Sequence, residues 1–148
     1  MSSAWSHLPN AHHIDWVLES LYKNPKLWAK SRDVAGDEIR EARRVAWNAA
    51  AAADLTGAWF AAKDALNHAT RYTVNHAARN TVSDTAREAA WFTIAGLLAW
   101  DNCNQFLSMS YERLKVWAVL SEDPRAILLL PMVYVREKLN EQCMVTSA

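Results

Sequence analysis

The feature that most constrains this chain is the run AAWFTIAGLLAW between Ala89 and Trp100. At 100° per residue, Trp91, Ile94, Ala95 and Leu98 fall on one side of a helix. Ala90 and Leu97 fall on a second side, and Phe92 and Ala99 on a third. A helix that is apolar all round has to be enclosed by other elements. A membrane span needs about 20 apolar residues, and the two longest runs here, Trp91–Trp100 and Ala126–Val135, are about half that. The enclosure must therefore be protein. We read residues 86–106 as the central helix, starting near 85. Thr85-x-x-Glu88 matches a capping box at its start. Gly96 inside it costs roughly 0.5–1 kcal/mol relative to alanine, which implies a close neighbour at that point. After Trp100 the polarity switches abruptly to Asp101, Asn102, Asn104 and Gln105.

The flanking segments supply helices to do the enclosing. Ile14, Val17, Leu18 and Leu21 follow the i, i+3, i+4, i+7 spacing of a first helix over about 10–22, with Asn10 as its N-cap. Asn24-Pro25 stops it, and Pro25 opens a short helical turn through Trp28. Ile39, Ala42, Ala46, Ala49, Ala50 and Ala53 line a narrow alanine stripe, which lets a neighbouring axis come close. A further helix is expected over 58–80. Ser110 caps another over Tyr111–Leu120, with Leu114, Trp117 and Ala118 as its apolar face. Asp123-Pro124 starts the last one, which Pro131 kinks. Only 3 Gly and 4 Pro leave too few turn residues for an all-β chain. The expectation is an all-α, single-domain bundle of five to seven helices, with 10–140 as the domain. Residues 1–9 read as a flexible tail pinned by Trp5, and 141–148 as a frayed one.

Charge and cysteine usage narrow the function classes. Sixteen basic residues balance sixteen acidic ones, whereas a duplex-binding protein shows a basic excess against phosphate. A net charge of zero also offers little resistance to self-association, so a homo-oligomer is expected. Cys103 and Cys143 form neither a disulfide framework nor a zinc pattern, and none of the five histidines has ligand spacing. No metal, cofactor or membrane partner is expected. MSSAWSHLPN has no basic n-region and no apolar h-region, which points to the cytoplasm.

One helical face carries chemistry. His68, Arg71, Tyr72, Asn75 and Arg79, with Asp64 and His76 nearby, stack at spacings of three and four. Arg and His grip phosphate, Tyr stacks on a base, and Asn reads a polar edge. Asp101 and Asn104, beyond the central helix, form a second polar group. The two groups make either one ligand pocket or two ordinary solvated surfaces. The eight tryptophans build a core against small alanines or line an interface.

The units ARRVAW and AREAAW, the segment AWFAAKDA and, most of all, LLAWDNCNQFL followed by LKVWAVLSEDPRAILLLP resemble small Ala/Trp-rich helical accessory proteins of tailed bacteriophages. The resemblance spans roughly the last two-thirds of the chain and carries no catalytic signature. It implies a counter-defence role in the cytoplasm of the host cell, one strategy being a sponge that sequesters a nucleotide second messenger. The leading expectation is therefore a non-enzymatic protein that binds a small anionic nucleotide through His68, Arg71, Tyr72, Asn75, Arg79, Asp101 and Asn104. The first alternative is an interaction module that inhibits a host protein through a Trp-rich surface. The second is a nucleotide-processing enzyme with His68 or His76 as general base.

Overall fold

In a computed structural model, the backbone is described over residues 4–76 and 82–147 and the side chains over 4–68 and 82–142. Among the described residues the chain is all-helical, without strands. The helices are α1 (Ala11–Lys23), α2 (Pro25–Ala35), α3 (Ile39–Ala52), α4 (Thr56–His76), α5 (Asp84–Ala99), α6 (Asn104–Leu107), α7 (Tyr111–Ser121) and α8 (Pro124–Ser147). They form the expected all-α bundle, with α2 a full helix and the one-turn α6 standing apart.

The expected central helix is central. Every residue of α5 from Ala89 to Leu98 is buried, and α1, α2, α3, α4 and α8 all pack on it. Its bounds differ from the expectation at both ends. The N-cap is Ser83, whose Oγ accepts from the Ala86 N–H at 3.1 Å, and not Thr85. The helix also ends at Ala99 instead of running to Phe106. Trp100 is extended (φ −133°, ψ 142°), and the chain re-enters helix only at α6.

What holds that end in place is remote in sequence. Asn10, 2% exposed, makes no side-chain cap on its own helix. Its Nδ2 donates instead to the carbonyls of Leu97 (3.1 Å) and Trp100 (2.7 Å), which the end of α5 leaves without intrahelical partners. Residues ahead of it are packed as well. Trp5 is buried and donates from Nε1 to Asp15 Oδ1 at 3.0 Å, so the stretch from residue 4 is part of the fold and not a free tail. At the other end, α8 continues through Ser147, past the boundary at 140.

Gly96 marks the crossing of α5 and α8. A Cβ placed there would lie 3.1 Å from Leu128 Cβ. Thr93 Oγ1 donates to the Leu128 carbonyl at 3.1 Å beside it, within the turn of α8 that Pro131 interrupts. Gly96→Leu is expected to overpack this crossing and cost about 1–3 kcal/mol. An unchanged denaturation midpoint would show that the helices do not meet there.

Seven of the eight tryptophans are buried or half-buried. Trp47, Trp59 and Trp91 form an edge-on ladder across α3, α4 and α5, with ring centroids 5.2 and 4.9 Å apart. Alanines Ala42, Ala46 and Ala50 on α3 are buried in the same core. The large-against-small core read from the composition is what forms. The exception is Trp117 on α7, 45% exposed.

Candidate interaction surface on α7

Helix α7 is a well-terminated helix. Ser110 caps it, accepting from the Arg113 N–H, and Tyr111 N–H donates to Glu137 Oε2 of α8 at 2.8 Å. Tyr111 Oη donates to the Val34 carbonyl of α2 at 3.1 Å, and its ring sits 5.3 Å from Tyr134. Glu122 closes the far end in the left-handed region (φ 55°), its N–H donating to the Ala118 carbonyl. Leu114 and Ala118 face inward and are buried.

The outward face should then be polar, and it is not. Val116 is 58% exposed, Val119 72% and Leu120 76%, beside Trp117. Large exposed apolar groups scattered singly need no explanation, but four within five residues of one helix form a patch. Periodicity puts Trp117 on the buried face with Leu114 and Ala118, and the structure leaves it exposed. Its angle on the helix lies 100° from Ala118 and 60° from Leu114, close enough to the core stripe for periodicity to absorb it.

Two grooves flank this ridge. One, of about 640 Å³, runs between α7, the end of α2 and α8, and carries Asp33, Glu38, Glu122 and Lys115 around Val119 and Leu130. With three carboxylates to one amine, it does not suit an anion. The other, about 380 Å³, lies against Met109, Arg113, Val116, Trp117 and Leu120. Among the described residues, the Arg113 guanidinium and the Glu112 and Glu122 carboxylates make no ion pair. The patch is thus apolar along its ridge with unpaired charge at both ends.

His68 is exposed on α4. The side chains of Arg71, Tyr72, Asn75 and His76, and Arg79 altogether, lie outside the described residues. Asp101 and Asn104 are exposed in the turn after α5 and at the start of α6. Among the described residues no hydrogen bond or ion pair joins His68 to either of them. Instead Asn104 Oδ1 lies 3.3 Å from His13 Nε2, and Asn102 Oδ1 accepts from Arg125 Nη1 at 2.8 Å. The polar stretch is partly occupied in tying α5's end to α1 and α8. Between its polar members Cys103 is fully buried, and burial pushes its thiol up to about 11.

Burial lowers the His13 imidazole from its ordinary value of 6.5, as do His12 and Arg136, against the opposing Asn104 hydrogen bond. The folded state therefore binds this proton more weakly than the unfolded chain. The stability this site contributes is complete above about 6.5 and is lost as pH falls through it toward the lower folded value. His13→Gln should flatten that part of the pH–stability curve, measured by thermal unfolding. A slope identical to the parent's would rule out His13 as its source.

Positive charge collects elsewhere. A shallow cleft of about 380 Å³ between the α1–α2 junction and α8 is lined by Lys23, Lys26 and Lys30. Lys23 pairs with Glu19 at 2.8 Å, while Lys26 and Lys30 make no ion pair among the described residues. Among those residues no group of three or more His, Cys, Asp or Glu could hold a metal, and no helix is long and apolar enough to cross a membrane. No protein family matches the chain, and neither does any curated protein or solved structure.

Proposed function

We propose that this protein is an interaction module that docks another protein chain through the outer face of α7. The observation that carries the reading is Val116, Trp117, Val119 and Leu120 standing exposed together on a helix that is capped at both ends and fixed to α2 and α8. Contact hot spots favour Trp, Tyr and Arg, set in apolar surroundings with a polar rim. Trp117 with Arg113 beside it, bordered by Glu112 and Glu122, has that composition. Because the helix is held before any partner arrives, little ordering cost opposes binding.

A benzophenone photoprobe in place of Leu120 tests this in cell extract, with the same probe in place of the exposed Glu19 as control. An adduct specific to position 120, competed by unlabelled parent protein but not by its Leu120→Asp form, is the expected result. Adducts absent at 120, or equal at both positions, would contradict it.

A second reading, sequestration of a small anionic nucleotide, is favoured by the lysine cleft at the α1–α2 junction. A ligand that binds the folded state raises the melting temperature by mass action. A nucleotide panel that raises it for the parent but not for Lys26→Glu/Lys30→Glu supports this reading, and a panel without any shift removes it.

A further inference from the structure

We infer that the chain seated on α7 is a second copy of the same protein, its own α7 packed antiparallel on the first. This rests on the docking role of α7 and identifies its partner.

The outer face of α7 is self-complementary. Two identical patches meet around a two-fold axis, so each residue pairs with one whose number makes a constant sum. Setting Trp117 opposite Leu120 of the second copy gives the sum 237. That register also sets Lys115 opposite Glu122 of the second copy, an opposite-charge pair that forms twice. A parallel arrangement would align each charge with its own like.

Three further observations agree. The antiparallel arrangement sets the positive N-terminal end of each α7 beside the negative C-terminal end of the other. Glu122 borders the acidic groove with Asp33 and Glu38, where three carboxylates face the chain's own Lys115 alone, so the Lys115 of a second copy adds charge of the missing sign. A net charge of zero leaves no long-range repulsion between copies. A contact built mainly on one helix falls at the small end of specific interfaces, below about 1,200 Å², so the dimer is concentration-dependent.

Analytical ultracentrifugation of the whole protein over a micromolar-to-millimolar series tests this. The expected mass rises from 16.7 kDa toward twice that value. Leu120→Asp should hold it at the monomer without changing the far-UV spectrum or melting temperature at low concentration. Lys115→Glu and Glu122→Lys should each weaken dimerisation several-fold, and the double swap should restore it. A monomer at every concentration overturns the inference, as does a dimer indifferent to Leu120→Asp or a double swap no better than the single ones. If the protein stays monomeric while the position-120 probe marks a different protein, α7 is a docking face for that protein and self-pairing is wrong. If no adduct forms either, both readings fall together.

Discussion

Trp28→Ala lowers the unfolding free energy by about 3–5 kcal/mol, the largest loss expected from any single tryptophan. Trp28 is fully buried, and its Nε1–H donates to Ser20 Oγ at 3.0 Å. Ser20 is itself buried and donates onward to the Val17 carbonyl. The substitution therefore removes a large ring from a site where α2 packs on both α5 and α8, and strips a buried hydroxyl of one partner. Trp117→Ala, at low protein concentration, should stay within about 0.5 kcal/mol because its ring is half in solvent. Urea denaturation of both variants measures the contrast. Similar losses would mean that Trp117 belongs to the core after all.

Asn10→Ala is the second large effect, about 2–4 kcal/mol. The alanine leaves the buried Leu97 carbonyl without that donor, an unpaired group that costs about 1–3 kcal/mol, and the half-buried Trp100 carbonyl with only the Cys103 thiol at 3.5 Å, a lost hydrogen bond worth about 1 kcal/mol more. The consequence is local as well as global. Asn10 holds the point where α5 stops, so the amides of Cys103 to Leu107 should exchange faster with solvent in the variant than those at the start of α5. Hydrogen exchange read by mass spectrometry gives both numbers. A loss under about 0.5 kcal/mol, the range of an ordinary surface change, would remove Asn10 as the cap of α5.

The two residues also show what was legible in the chain. The enclosure of α5 was legible, because twelve consecutive near-apolar residues admit no exposed face. So were the Ser110 cap, the Asp123-Pro124 start and the close approach at Gly96, each a local rule whose physics lies within a few residues. The end of α5 was not. It is closed by Asn10, some ninety positions away, and the local sequence has neither Gly nor Pro at the break. The length of α2 is illegible for a related reason. Its buried stripe of Pro25, Trp28, Ser31 and Ala35 contains a serine and a proline, which hydropathy counts as surface. Ser31 is fully buried, satisfied by the Trp28 carbonyl at 2.6 Å.

The α7 face was illegible for the opposite reason. Val116, Trp117, Val119 and Leu120 look like core in the sequence, and only the position of α2 and α8 shows which side of the helix they cover. Of the expected ligand residues, His68, Asp101 and Asn104 are on the surface, and Asn104 already faces His13. A run of apolar residues announces burial, but it cannot say whether the covering surface belongs to the same chain.

Fluorine NMR of protein labelled with 5-fluorotryptophan addresses that last point directly. The eight tryptophans give eight resonances, and Trp117→Phe assigns the one from α7. On raising the protein concentration, the Trp117 resonance should shift and become shielded from a soluble paramagnetic quencher, while the resonances of Trp28, Trp59 and Trp91 stay fixed and shielded throughout. A Trp117 resonance that is shielded at every dilution, or exposed at every concentration, would contradict a face of α7 that is open in the single chain and covered by a second.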